Sequence, residues 1–355
     1  MEKDIKAYLD KLLELTINNM ASDLHLVAGY PPVVRVYGEL YPLANEPAIE
    51  EERLGRLIEL LLSQRKERFL KEKEVDFSFI HSDGQFRVNV YFQQGQASAS
   101  LRYLAGEVPS LNKLGLPSLL SQVVNWRQGL VLITGPTGHG KSTTVASLLE
   151  EINSSRRAHI ISVEDPIEYR FRPNKSIISQ REVGADTKDW SRALRSSLRQ
   201  DPDVVFIGEM RDLETIGAAL TIAETGHLVF STLHTNSAAE TVDRIIDVFP
   251  GSAKQQVTSQ LAAVLGMVIS QRLVPGLRPG RVPALEILIN NPAVKNAIRE
   301  GKSYMIDNII QTSNDTGMVL LEKSLIQLVK ENKIAAETAR DFAIRKSELN
   351  RYFRK

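Results

Sequence analysis

The chain has 355 residues, and its 44 Lys and Arg against 43 Asp and Glu leave a formal charge of +1, so it lacks the surplus of cations that bulk nucleic-acid binding requires. Hydrophobic residues at 43% and charged residues at 25% describe a folded chain rather than a disordered one, of about two domains at roughly 150 residues each. The absence of cysteine excludes disulfides, thiolate catalysis and cysteine-ligated zinc or iron–sulfur sites.

No apolar run approaches the roughly 18 residues that cross a bilayer. Met1-Glu2-Lys3-Asp4 opens a charged helix without the apolar core of a secretory signal. The cytoplasm is the expected compartment, with membrane association expected only through a partner. Ile5, Leu9, Leu12 and Leu13 recur at helical spacing and predict a helix over residues 3–18, and a second helical pattern covers 50–72. Period-two runs follow. Val75, Phe77 and Phe79 alternate, Ser82-Asp83-Gly84 supplies a turn, Phe86, Val88, Val90 and Phe92 alternate again, and Ala97, Ala99, Leu101 and Tyr103 form a third run. Residues 1–104 therefore read as a small α+β domain on an antiparallel sheet. Gly106, Pro109, Gly115 and Pro117 mark 105–117 as a linker.

Beyond it, short apolar runs stand alone at Leu130–Thr134, Ile160–Val163, Val204–Ile207, Leu228–Phe230 and Ala284–Ile289, most of them separated by helical stretches. Buried parallel strands read this way, so 118–290 is expected to be a doubly wound α/β domain. Residues 291–355 read as helical, with Leu320, Leu321, Leu325 and Leu328 as one apolar stripe. The end from Ile344 to Lys355, five basic residues against one acidic, is expected to be a frayed, solvated tail.

The segment Gly135-Pro136-Thr137-Gly138-His139-Gly140-Lys141-Ser142 matches G-x-x-x-x-G-K-[ST] at every fixed position. It stands between a predicted strand and a predicted helix from Lys141 to Ile152, the order that phosphate binding requires. Glycines let backbone N–H groups converge on phosphate oxygens, and the helix N-terminus adds partial positive charge. Lys141 is expected to reach the β- and γ-phosphates of ATP and Ser142 to ligate Mg²⁺, with Thr143 close behind. His139 fills a free position, where it meets nucleotide, meets a neighbouring subunit or, as expected here, faces solvent.

Two acids end predicted strands: Glu164, with Glu168 just beyond, and Glu209, where Gly208 replaces the usual Asp of a Walker B strand. Parallel strands deliver their C-terminal ends to one edge. Glu164 is assigned as the water-activating base and Glu209 as the Mg²⁺ acid, two roles that remain exchangeable; Glu168 reads as a helix cap. Asp189 or Ser191 caps a helix running to Gln200, with Leu194 and Leu198 as its apolar ridge. Arg192, Arg195 and Arg199 share another face, either as a solvated basic face or as arginines offered to a neighbouring subunit's γ-phosphate. Arg87 points away from the apolar face of Phe86, Val88 and Val90 and is expected to be free for a ligand. His227 reads as local packing after Gly226, and His234, at a strand end, as a sensor of the γ-phosphate.

Taken together, the ordered motifs resemble the secretion-type ATPases of type IV pili and type II secretion, and within them the retraction, or twitching-motility, type. They are Ala21-Ser22-Asp23-Leu24-His25-Leu26, the Gly135–Thr143 loop, Ser162–Glu168, Gly208–Asp212 and Gly226–Thr235. The resemblance implies a PAS-like N-terminal domain, a RecA-like P-loop NTPase core and a homohexamer with nucleotide bound between the domains. It also implies nucleotide contacts from Arg87, Arg102, Arg195 and Arg199. The implied activity couples Mg-ATP hydrolysis to pilus retraction. The motor would act from the inner face of the cytoplasmic membrane through a platform protein, and indirectly on pilin, with no nucleic acid. An assembly or secretion motor and a nucleotide-gated, non-cycling adaptor are the alternatives. His139 stands where the family usually has Ser. In Ala293–Glu300, Lys295 replaces an Arg and Ala297 a Leu of the retraction-type helix.

Overall fold

The computed structural model describes residues 2–36, 38–81, 84–104 and 107–353. Ser82 and Asp83 of the expected turn, Ala105 and Gly106 of the expected linker, and the last two residues of the expected tail lie outside them. The chain divides into two compact units, Met1–Glu107 with Asp165–Arg170, and Val108–Glu164 with Phe171–Lys355.

The first unit comprises α1 (Glu2–Asn18), β1 (Asp23–Leu26), β2 (Val33–Val36), β3 (Glu39–Pro42), α2 (Glu51–Leu62), α3 (Lys66–Glu72), β4 (Glu74–His81), β5 (Gly84–Gln93) and β6 (Gln96–Leu104). Among the described residues these strands form one antiparallel sheet in the order β3-β2-β1-β6-β5-β4. Only the last three of these strands are read as such from alternation, since β1 to β3 span four residues each, too few for a periodic signal. Helix α2 buries Leu54, Leu57, Ile58, Leu61 and Leu62, a stripe at three- and four-residue spacing. The expected helix over 50–72 is broken at Ser63, whose φ of +48° lies outside the right-handed α region.

The second unit opens with β7 (Gly129–Thr134), α4 (Lys141–Ser155), β8 (His159–Glu164), β9 (Ile177–Glu182), α5 (Trp190–Ser197), β10 (Val204–Ile207), α6 (Leu213–Glu224) and β11 (Leu228–Leu233). It continues through α7 (Ala238–Asp247), α8 (Gly251–Val264), β12 (Leu265–Pro275) and β13 (Arg281–Ile289). It closes with α9 (Pro292–Arg299), α10 (Ile306–Thr312), α11 (Leu321–Lys330), α12 (Ala336–Phe342) and α13 (Lys346–Phe353). The sheet order is β13-β12-β7-β11-β10-β8-β9, parallel except for the β12–β13 pair. There the expectation of parallel strands is corrected: β13 runs antiparallel to β12, because the few residues between Pro275 and Arg281 allow a hairpin but not a crossover.

Period two sorts the strands onto two cores. Leu130 and Leu132 of β7 join Ile216, Leu220 and Val242 on one face, while Val131 and Ile133 join Val145, Leu148 and Leu149 on the other. Each such fully buried aliphatic stabilises the fold by about 1.5–3 kcal/mol. Leu111 and Leu116, from the expected linker, are buried in the same core as α4.

The expected frayed tail is corrected as well. Arg345 is seated between Glu286, Asp307 and Glu322 at 2.9, 2.5 and 3.0 Å, and Leu349 of α13 is fully buried. A guanidinium with three carboxylate partners anchors the segment that a count of charges alone assigns to solvent.

Candidate active site

The strand order determines which motifs meet. The glycine loop leaves the end of β7, His234 the end of β11, Glu209 the end of β10 and Glu164 the end of β8, so these four stand side by side along one sheet edge. His234 therefore comes between the loop and Glu209.

The loop's shape depends on its glycines. Gly135 has φ +136°, and a Cβ there would lie 2.2 Å from the Gln271 carbonyl oxygen, which no side chain tolerates. Gly138 and Gly140 have φ of +76° and +78°, and Gly140 is followed directly by α4, so backbone N–H groups converge at a helix N-terminus. This cradle fits a phosphate chain. Lys141 is buried; its Nζ donates to the carbonyls of Gly135 and Pro136 at 2.8 and 3.0 Å, which curl the loop around the ammonium.

From Lys141 a chain of polar contacts runs to the acid. His234 Nδ1 lies 3.5 Å from Lys141 Nζ and 3.3 Å from Thr137 Oγ1. An ammonium only donates, so Nδ1 accepts and the ring proton sits on Nε2, which faces Glu209 Oε1 at 3.1 Å. Burial, with Lys141 and Arg211 nearby, holds the His234 imidazole below its ordinary value against the pull of Glu209. The ring is thus a neutral donor to the carboxylate. The other oxygen of Glu209 pairs with Arg211 at 2.8 Å. Thr232 Oγ1 donates to the Gly208 carbonyl at 2.6 Å and the Met210 N–H to the Thr232 carbonyl at 3.2 Å, fixing the Glu209 turn against the strand that carries His234. The glycine at 208 has a packing reason: a Cβ there would stand 3.3 Å from both Trp190 and the Val163 carbonyl oxygen.

Glu164, one strand beyond, is buried. Its Oε1 accepts the Ser162 hydroxyl at 2.6 Å and the Gln180 amide at 3.3 Å. Sequence reading missed Gln180 and gave Ser162 a place in a motif but no role; Ser162 has a signal, since residues two apart share a strand face. The oxygen donors at this edge, the Ser142 hydroxyl with Glu209 and Glu164, are hard ligands of the kind Mg²⁺ takes.

Other expectations change. His139 does not face solvent: its Nδ1 accepts the Leu273 N–H at 2.9 Å, because β12 runs on past the end of β7 beside the loop. Arg87 is not free. It pairs through Nε with both oxygens of Asp76 at 3.2 and 2.9 Å, since Asp76 sits diagonally across the β4–β5 ladder from it. Arg102 stands directly opposite Arg87 in the ladder and donates to Asp23 at 2.8 Å. Both belong to the first unit. Glu168 caps no helix, because none follows β8 until α5; its charge, after Asp76, helps to raise the pKa of Arg87. Asp189 is the cap of α5, accepting the Arg192 N–H at 2.7 Å. That helix stops at Ser197 rather than Gln200, leaving Leu198 exposed. Arg195 and Arg199 are exposed, and Arg195 lines a groove of about 410 Å³ with Glu214 and Leu198. His227 packs locally, its Nδ1 3.0 Å from the Ile222 carbonyl oxygen at the end of α6.

Residues 2–348 match the model of the type II/IV secretion system protein family. The chain is similar to the type IV pilus retraction ATPase PilT of Pseudomonas aeruginosa, 45% identical over 337 residues, 94% of this chain and 98% of that protein. The type IV pilus ATPase PilU of the same organism is 36% identical, covering 93% and 87%. Among solved structures, the pilus retraction motor PilT with bound ADP superposes with a TM-score of 0.90 at 44% identity, over 96% and 98% of the two chains. The ATPase DotB of Legionella pneumophila superposes with 0.83 at 28% identity, over 94% of each.

Proposed function

The chain belongs to the type II/IV secretion system protein family, and from that premise we propose that it is a motor ATPase that drives type IV pilus retraction, working as an oligomeric ring on a membrane-embedded platform protein. The observation that supports the chemistry is the contact chain from Lys141 through His234 to Glu209, which ties a phosphate cradle to a strand-end acid. Similarity over nearly the full length to pilus retraction ATPases supports the biological direction. No helix among the described residues is long and apolar enough to cross a membrane, which fits a motor that reaches the membrane through a partner.

In this reading ATP is the substrate. The loop amides and Lys141 grip its phosphates, and His234, as a neutral donor, holds Glu209 in register with the loop. Ser142 and Glu209 would hold a magnesium ion, which supplies charge neutralisation on the β- and γ-phosphates. Glu164, fixed by Ser162 and Gln180, accepts the proton of the attacking water. Arg195 and Arg199, exposed on the surface, are available to a neighbouring subunit's γ-phosphate.

The test is hydrolysis by the purified chain with magnesium and without DNA, joined to deletion in the host with fibre imaging. Turnover together with hyperpiliated, immobile deletion cells is expected. Tight binding without turnover would replace the motor with an adaptor, and bald cells would reverse the direction to assembly.

A further inference from the structure

His139 lies between two glycines of left-handed φ in the phosphate loop, and strand β12 holds it at both its side chain and its main chain. The Leu273 N–H reaches its Nδ1 at 2.9 Å, and Gln271 Nε2 reaches its carbonyl oxygen at 2.9 Å. The same Gln271 amide accepts the Thr144 hydroxyl on Oε1 at 2.7 Å, so one side chain ties the loop to the first turn of α4. Arg281 of β13 adds a bond to the Gly138 carbonyl at 2.9 Å.

The topology explains why a lone pair is wanted there. β12 pairs with β7 as far as Ser270 opposite Thr134. Past that point the chain of β7 turns away into the loop, and β12 continues with its edge turned towards it. A partly buried backbone N–H on such an edge requires an acceptor. The amide only donates, so the imidazole that satisfies it is neutral, with its proton on Nε2. Burial, then Arg272, Arg281 and Lys141, which are the charged groups facing the ring from β12, β13 and α4, keep its pKa below the ordinary histidine value. A serine side chain in this place would be one bond too short to put an acceptor where Nδ1 stands.

We propose that His139 is a positioning residue for nucleotide: its neutral Nδ1 pins the loop to β12 and so presets the peptide N–H groups that receive the phosphates. This rests on the reading of the loop as an ATP site. The consequence is a binding effect rather than a chemical one, because the imidazole bonds to the Leu273 N–H of β12 and not to the acids of the sheet edge.

The experiment is steady-state ATP hydrolysis by the full-length chain and its His139→Ala and His139→Asn variants. The Asn side chain offers Oδ1 near the place of Nδ1 and accepts the same N–H. One net hydrogen bond corresponds to about fivefold, so His139→Ala is expected to raise KM for ATP about fivefold with kcat within about twofold. His139→Asn is expected to return KM to within about twofold of the parent. On the unaltered protein, ¹⁵N correlation spectra should show the His139 proton on Nε2 at neutral pH, a readout that does not depend on any variant folding. An unchanged KM in His139→Ala, an Asn variant as impaired as the Ala variant, or a proton on Nδ1 would each overturn the proposal. An unaltered chain that does not hydrolyse ATP would instead overturn the ATP-site reading beneath it.

Discussion

Glu164 and Lys141 are both buried acid–base groups at the same sheet edge, yet their contacts set them different tasks. Lys141 is bonded to the loop it serves, at Gly135 and Pro136, so it acts on whatever the loop holds. Glu164 accepts from Ser162 and Gln180 on one carboxylate oxygen, which orients the group. Lys141→Ala should therefore lower nucleotide affinity by at least about 100-fold, because it removes the charge that meets the phosphates. Glu164→Gln should leave affinity within about threefold and cut turnover by on the order of 10²–10⁴-fold, the usual loss on removing a general base. Titration calorimetry and a phosphate-release assay separate the two effects. Unimpaired turnover in Glu164→Gln would transfer the role of base to Glu209.

At the scale of elements, the C-terminal helices are attached by charge as much as by apolar contact. Burial opposes the charge on Arg345, yet Asp307, Glu286 and Glu322 keep it protonated. Burial pushes the Glu286 carboxyl up, against the pull of Arg345. Glu286 also accepts the Ala238 N–H at 2.8 Å, at the start of the helix that follows the His234 turn, and Glu322 accepts the N–H groups of Ile344 and Arg345 at 3.0 and 2.8 Å. Arg345→Ala leaves these carboxylates buried without their cation. The cost should be about 3–5 kcal/mol, typical of breaking one partner of a buried pair. Urea unfolding measures it. Hydrogen exchange should show α12 and α13 losing protection first, and a variant whose midpoint does not move would remove this network from the account of stability.

For the whole molecule, two histidines in different units share one property with His234 of the candidate active site. Burial lowers the pKa of His25 in β1, and burial with three neighbouring cations lowers that of His139 in the loop. Each is therefore less protonated when folded than when unfolded, where the ordinary value is 6.5. The unfolded chain binds more protons in the window below 6.5, so the stability from these groups is complete above it and is lost as pH falls through the folded values. The melting temperature should drop between about pH 7.5 and about pH 5.5, and the drop should be smaller in a His25→Asn, His139→Asn double variant. A pH slope identical in the two proteins would assign the loss to other groups.

What could be read from residue order was whatever is local. The phosphate loop, the buried runs of β7, β8, β10 and β11, the Asp189 cap and the apolar stripe of α11 each depend on neighbours within a few positions, where steric preference and hydrophobic periodicity act directly. Chain folding alone decided the partners. Periodicity carries no information on which strand lies beside which, so the placement of His234 between the loop and Glu209 follows from the order β7-β11-β10. Likewise Arg87 finds Asp76 11 residues away, Arg345 finds Glu286 59 residues away, and His139 finds Leu273 134 residues away. A charged or polar side chain looks free in a sequence because its partner arrives only through the tertiary fold, and burial then makes that partnership obligatory.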